Sequence, residues 1–418
     1  MEKSGKFCLT SLERNWILYD VGNSAFVLMV ATLIPIFFNA LAEAGGLSSV
    51  EYLAYWGYAS SAVTVITAVL SPILGTVADT KGFKKPIFIL CVFVGIVGCC
   101  AMGAASAWLP FLVIFVIAKV GFSGSLVFYD SMLSDVTTPE RMDEVSSRGY
   151  AWGYIGSCVP FVVCLGLVLG AGSIGISQMT ALNLALLLTA AWWLLTTLPL
   201  LKSYKQLYYV EVEKHAVRQS FARIGHTLRH LPEDKQVFWF LLAFFCYIDG
   251  VYTIIDMATA YGTALGLDTT GLFAGTSCDP DRGVPVGPHL WAAVEQVPLG
   301  QAHPVCIAAY AGIAVFAFFL TRQWQFWVLA VIVGMFQGGV QALSRSHFAK
   351  IIPPEKSGEY FGLFDICGKG ASFLGTMIVS VGSQLTGSAN VGVGSLIVLF
   401  IVGFVLFRVS CKKEVVSE

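Results

Sequence analysis

Charge is what this chain has least of. Only 12% of its 418 residues are Asp, Glu, Lys or Arg, where a soluble domain carries roughly 25%. Hydrophobic residues make up 56% and mean hydropathy is +0.75. So little charge excludes a water-soluble globular protein and defines an integral membrane protein. A net charge of -1 leaves no basic footprint for nucleic acid. Ten of the eleven cysteines offer no metal-ligand spacing. Most of them (Cys91, Cys99, Cys100, Cys158, Cys164, Cys246, Cys367) lie in apolar runs and read as small buried hydrophobes, without a disulfide framework. Nucleophile–base pairs and phosphate-cradling loops are also missing, so no enzyme, cofactor or metal is expected. The head before Trp16 is short and basic, which excludes a cleavable signal there.

What is present is a series of apolar runs, at about 16–41, 52–74, 86–105, 108–132, 150–171 and 180–201, then 238–262, 306–321, 326–344, 361–383 and 390–409. Each approaches the ~20 residues that span a hydrocarbon core of about 30 Å. The first run opens on WILYDVGNSAF (Trp16–Phe26), which places Tyr19, Asp20, Asn23 and Ser24 in its first turns. An ionisable group in a spanning helix is costly unless it faces other helices or a wet cavity. Asp20 therefore implies a surrounding bundle with a polar interior, or else a place near the cytoplasmic interface.

Lysines and arginines cluster before the first run (Lys3, Lys6, Arg14), after the second (Lys81, Lys84, Lys85) and after the fourth (Arg141, Arg148). They recur through the polar segment 202–235, beside Arg345, Lys350 and Lys356, and in the tail. The opposite loops hold Arg322. The positive-inside rule then puts both termini and the central segment in the cytoplasm. That requires an even number of crossings, six on each side of 202–235, and eleven visible runs do not supply it. The predicted organisation is an N-terminal six-helix bundle over 1–201, a cytoplasmic linker over 202–235 read as a solvated helix, and a C-terminal bundle over 236–418.

The second half repeats the first. SDVTTPER at 134–141 resembles AKIIPPEK at 349–356, and a Gly- and aromatic-rich helix start follows each. Two parallel six-helix halves joined by a cytoplasmic loop resemble the major facilitator superfamily. A loop motif carries the same resemblance: Gly75-Thr-Val-Ala-Asp79-Thr-Lys-Gly82-Phe-Lys84-Lys85-Pro86 is similar to that superfamily's signature between its second and third helices. Its glycines permit a tight turn and close helix approach. Asp79 can accept bonds from a neighbouring helix terminus, and the lysines are expected to hold the loop at the anionic cytoplasmic face. The resemblance implies that Asp79 braces one half against the other in one transport state. Thr80 and Phe83 depart from the basic residues usual there. YDVGNSAF, VTTPERMDEVSSRGYAWGYIGS and PPEKSGEYFGLFDICGKGAS further resemble a bacterial major-facilitator family related to the autophagy-linked vacuolar amino-acid effluxers of fungi. That resemblance implies a transporter, with amino-acid efflux as the nearest activity.

Residues 273–305 fall outside the resemblance. Their prolines and charges (Asp279, Asp281, Arg282, His289, Glu295, His303) exclude a lipid-facing helix, yet they occupy the place of a missing eighth crossing. Read one base out of frame, codons 291–296 admit Gly-Arg-Leu-Ser-Ser-Lys, which resembles a second copy of the loop motif. Two compensating frameshifts that replaced the eighth helix are the resulting hypothesis. A genuine inserted loop is the alternative, and the nucleotide sequence across codons 270–306 decides between them.

Candidate pathway residues follow from depth. Asp249 sits mid-run in the seventh, where a desolvated carboxylate favours its neutral form and suits proton coupling. Lys119, mid-depth in the fourth run, reads as a counter-ion for a substrate carboxylate or as a structural pair. Asp20 and Asn23 join them. Asp365 and Lys369 stand i,i+4 and favour mutual neutralisation. The gating set is Gly75, Asp79, Gly82, Lys84 and Lys85, with Arg345 at the cytoplasmic end of its helix. The expected protein is an all-α, twelve-helix carrier in the cytoplasmic membrane, a monomer that moves a small solute, with protons, by alternating access. The competing classes are a membrane sensor or assembly protein on the same scaffold, and a transport-impaired copy that lacks its eighth helix.

Overall fold

The computed structural model describes residues 7–211, 225–227, 229–264, 299–370 and 373–411. The architecture is helical: α1 (Ser11–Ala31), α2 (Leu33–Ala44), α3 (Ser49–Ala78), α4 (Lys84–Gly103), α5 (Trp108–Ser131), α6 (Met142–Leu169), α7 (Gln178–Ser203), α8 (Lys235–Ala264), α9 (Leu299–Phe318), α10 (Gln323–Ile351), α11 (Ser357–Gly370), α12 (Phe373–Thr386) and α13 (Ile397–Cys411), with single-turn pieces between them. Among the described residues, ten segments are long and apolar enough to cross a membrane, counting α1 with α2 and α11 with α12 as one each, and a shorter apolar helix lies at Ala302–Phe318.

Local sequence explains the boundaries. Thr10 and Glu13 form a reciprocal capping box at the start of α1, as Ser48 and Glu51 do for α3, so two orphan amide donors are satisfied at each start. The first apolar run is broken at Thr32, where the sequence predicts one helix. Pro35 lacks the N–H that the Ala31 carbonyl would use and its ring crowds that carbonyl. The Thr32 N–H bonds Met29 O instead, and its hydroxyl donates to Leu28 O at 2.6 Å. Most helices are apolar all round, as lipid-embedded helices are. Packing separates their faces instead: Val159, Val162 and Leu169 of α6 stand exposed while Gly149, Gly153 and Ser157 are buried.

Contacts divide the chain into two units. The first comprises Met1–Gly225 with Ile352–Leu363, and the second comprises His226–Ile351 with Phe364–Glu418. The stretch 352–363, late in the sequence, thus packs with the early helices. In the first unit α1 lies against α6 and α7, and α4 against α5; in the second α8 lies against α13, and α9 against α10.

Three expectations need correction. The start of the segment read as a solvated linker helix, Tyr204 to Glu211, is not helical and Tyr204 is buried, whereas 225–227 and 229–230 are helical and 212–224 lie outside the described residues. The 273–305 stretch lies outside the described residues up to 298, but 299–305 are helical. α9 therefore begins at Leu299, seven residues before the apolar run that marks it, with His303 buried. Arg345 is buried inside α10 rather than ending it, since the helix continues to Ile351.

Candidate functional site

The loop between α3 and α4 holds a buried polar cluster of the first unit. α3 ends where Asp79 caps it, and Gly82 takes a φ of +79°, a left-handed turn residue that a side chain would strain. The turn sends Lys84 inward. Lys84 and Asp79 are both fully buried, which corrects the expectation of a lysine held at the lipid surface. The Lys84 ammonium donates to Ser357 Oγ at 2.8 Å and lies 3.5 Å from an Asp135 oxygen and 3.8 Å from Asp79 Oδ1. Burying a cation is sustainable only with such partners.

Asp79 in turn receives two backbone donors from the first turn of α11: Gly358 N at 2.7 Å on Oδ1 and Glu359 N at 2.8 Å on Oδ2. A carboxylate there satisfies orphan amides and meets the positive end of the helix dipole. The approach is close because both strands of backbone are glycine. A Cβ on Gly75 would lie 2.1 Å from Gly358 O, and one on Gly362 would lie 2.6 Å from Pro72 Cα. Burial pushes the Asp79 carboxyl up to about 7, against the downward pull of Lys84 and the two amides.

Asp135 closes the cluster from the short helix after α5. Tyr204 Oη donates to its Oδ2 at 2.5 Å, and Leu207 N and Tyr208 N donate to Oδ1 at 2.9 and 3.0 Å. Burial, then the neighbouring Asp135 carboxylate, pushes the Tyr204 phenol well above its usual range, so it stays a donor. Lys85 is half-buried and its ammonium reaches Tyr204 O at 3.4 Å. The sequence shows Asp135, Tyr204 and Ser357 but not their convergence; SDVTTPER and PPEKSGEY marked the neighbourhood of two of them. The VTTPER loop has its own anchor, since Arg141 Nε and Nη2 and the Thr137 hydroxyl all donate to Glu13 of α1, at 2.8, 2.7 and 2.6 Å.

The transmembrane candidates sit in separate places. In the first unit Asp20 is buried on α1, where Asn23 Nδ2 donates to Tyr19 O at 3.1 Å and to Asp20 Oδ1 at 3.4 Å. α6 presents glycines opposite: a Cβ on Gly153 would lie 3.3 Å from Asp20 Cγ. Asn23 thus bonds within its own helix, and Asp20 lies in the α1–α6 seam. Lys119 is half-buried on α5 with its ammonium 4.7 Å from the Phe122 ring centre and 6.0 Å from that of Phe26, a cation–π arrangement.

In the second unit Asp249 is fully buried on α8. Its Oδ1 accepts from Gly375 N at 2.9 Å and from the Thr253 hydroxyl at 3.4 Å. It thereby serves the first turn of α12 as Asp79 serves that of α11. Asp365 and Lys369 form an ion pair one turn apart on half-buried α11. Tyr247, Ser344 and His303 make a buried hydrogen-bonded group, with Tyr247 Oη 2.6 Å from Ser344 Oγ and 3.1 Å from His303 Nε2; the sequence offered no sign of it, because His303 read as part of an interrupted segment. A cavity of about 300 Å³, lined by Thr253, Met257, Tyr261, Phe326, Gln337 and Val379 among others, opens beside these helices. Among the described residues no group of three or more His, Cys, Asp or Glu side chains could hold a metal ion.

Solved structures share this fold. The human organic anion transporter MFSD10 (TETRAN) matches with a TM-score of 0.66 at 16% identity, over 94% of this chain and 99% of that one. A bacterial homologue of the iron transporter ferroportin, in an outward-facing state, matches with a TM-score of 0.67 at 15% identity, over 96% and 98%. The shared fold is the all-α major-facilitator fold, and its helices of membrane-crossing length are those of a multi-pass membrane protein. A family model described as Vacuole effluxer Atg22 like matches residues 12–415, and the chain belongs to that family. The uncharacterized MFS-type transporter YxiO of Bacillus subtilis (strain 168) is 40% identical over 402 residues, 95% of this chain and 94% of that one. Autophagy-related protein 22 of Yarrowia lipolytica (strain CLIB 122 / E 150) is 27% identical over 305 residues, 63% of this chain but 49% of the fungal protein. The matched stretch therefore spans about half the length of that relative.

Proposed function

We propose that the protein is a secondary carrier of a small solute, with amino-acid efflux as its activity and protons as the coupling ion, working by alternating access in the cytoplasmic membrane with both termini inside the cell. The observation that carries this reading is the buried Asp79 carboxylate bonded to Gly358 N and Glu359 N across a glycine–glycine contact. A contact centred on two hydrogen bonds and close backbone packing is one that a carrier can break and remake in each cycle. Small differences in energy between two packings, biased by substrate and proton, then set direction. Asp249 is the proposed proton carrier: it is buried, and its bonds to Gly375 N and Thr253 tie any change in its charge to the position of α12. Lys119, held by aromatic faces, is the proposed partner of a substrate carboxylate.

The test is flux in proteoliposomes loaded with a mixture of radiolabelled amino acids, with and without an imposed pH gradient. Efflux that the gradient accelerates is expected. Binding of an amino acid with neither efflux nor counterflow would instead identify a sensor.

A further inference from the structure

The chain leaves α7 at Tyr204 and runs without helix to Glu211, with a bend at Tyr208. A tether that only joined two bundles would make few contacts here. This one is fixed along its length to the α3–α4 loop. Val210 N donates to Asp79 O at 2.8 Å and Lys81 N donates to Val210 O at 3.1 Å, a one-pair parallel bridge between Thr80 and Val210. Gln206 spans the turn, with Gly82 N donating to its Oε1 at 2.9 Å and its Nε2 donating to Ala78 O at 3.2 Å. The Lys81 ammonium stands 4.7 Å from the Tyr209 ring centre and 3.8 Å from Glu211. Below these, the Tyr204 hydroxyl and the Leu207 and Tyr208 amides all end on Asp135.

Asp135 is also a partner of Lys84, which reaches Ser357 and Asp79. One unbroken set of polar contacts therefore runs from the linker, through Asp135, Lys84 and Asp79, to the first turn of α11. The Asp79 backbone carbonyl is held by the linker while its side chain holds α11. A shift of the strap acts on both ends of the same residue.

We propose that residues 204–211 are a positioning strap: by fixing Asp79 and Lys84 from behind, they set how readily the α11 contact at Gly358 and Glu359 opens. The linker so becomes a control element of the gate. Anything that draws the strap off the loop loosens the gate without touching it. The proposal rests on the reading that this contact opens during transport, but its test is read on the resting protein, so failure of flux and failure of the strap are distinguishable.

The experiment is hydrogen exchange of the purified full chain in detergent, resolved at Gly358 and Glu359. Val210→Pro removes the donor to Asp79 O and fixes the backbone φ there, keeping the carbonyl that accepts from Lys81 N, and Tyr204→Phe removes the hydroxyl on Asp135. Both are expected to speed exchange at Gly358 and Glu359 by about tenfold, with the amides of α5 unchanged. In an Asp79→Asn background Val210→Pro is expected to add no further increase, because the side-chain bonds it acts through are already lost, whereas Tyr204→Phe keeps a partial effect through Lys84 and Ser357. An undiminished effect of Val210→Pro there would count against the route through Asp79. Faster exchange within 204–211 with Gly358 and Glu359 inside twofold of the parent would overturn the proposal. Should a variant fail to fold, Gln206→Ala, whose half-buried side chain touches neither buried carboxylate, gives the same two outcomes.

Discussion

Replacing Gly75 by Ala probes the contact with the smallest possible change. The added Cβ would stand 2.1 Å from Gly358 O and 2.6 Å from its carbonyl carbon. Both are backbone atoms and have no rotamer to swing away. Ordinary van der Waals distance requires a retreat of roughly 1–1.5 Å. That retreat carries Gly358 N and Glu359 N, now 2.7 and 2.8 Å from the Asp79 oxygens, out of hydrogen-bonding range. A bond to a charged group contributes about 1.5–3 kcal/mol, so losing both lowers the opening free energy by ~3–6 kcal/mol. At about 1.4 kcal/mol per factor of ten, amide protection at the two positions falls by two to four orders of magnitude. The assay is hydrogen exchange at pH 8, where Asp79 is ionised, with α5 as the folding control. Protection within threefold of the parent in a folded Gly75→Ala protein would refute the close-approach argument.

Three further outcomes follow from the same geometry. Lys84→Met leaves Asp79 and Asp135 buried without their cation, which costs about 3–5 kcal/mol; a lower melting temperature is expected at pH 7.5, and an unchanged one would show that the cluster is not held by charge. Burial raises Asp79 from 3.8 to about 7 in the closed contact, while an opened, hydrated Asp79 returns to its ordinary value. The closed contact therefore binds the proton more tightly, is favoured in full below about pH 4, and loses that advantage as pH rises through 7. Opening at Gly358 and Glu359, corrected for intrinsic exchange, should become easier up to pH 7 and level off above it, and Asp79→Asn should flatten the profile. Asp249→Asn keeps an acceptor for Gly375 N, so amino-acid counterflow is expected to survive while acceleration by a pH gradient disappears; a gradient response equal to the parent's would exclude Asp249 as the proton carrier.

The sequence exposed the membrane-crossing runs because apolar stretches of spanning length need no partner to be recognised. It also exposed the Gly75–Pro86 motif, whose residue spacing survives translation into structure directly. Other features depended on partners far away along the chain. Lys84 read as a surface charge because nothing local reveals that Asp135 and Ser357 will meet it. Tyr204 read as the start of a solvated linker, for the same reason. Pro35 did carry a local signal, and the break at Thr32 shows that it should have outweighed the continuous apolar run. The burial of Asp20 and Asp249 was legible from hydropathy, but their contacts were not: Gly153 and Gly375 become neighbours only once the helices pack. His303 was hidden by the prolines and charges upstream of it, although its own helix begins at Leu299.

The most direct test of a gate that opens and closes in transport is chemical access to Ser357, fully buried beside Lys84. With Ser357→Cys in proteoliposomes, labelling by a membrane-impermeant maleimide is expected to change severalfold when an amino-acid gradient is imposed, and to stay at the resting rate without one. A labelling rate that is identical under both conditions, in a preparation that transports, would mean that this contact is permanent and that the gate lies elsewhere.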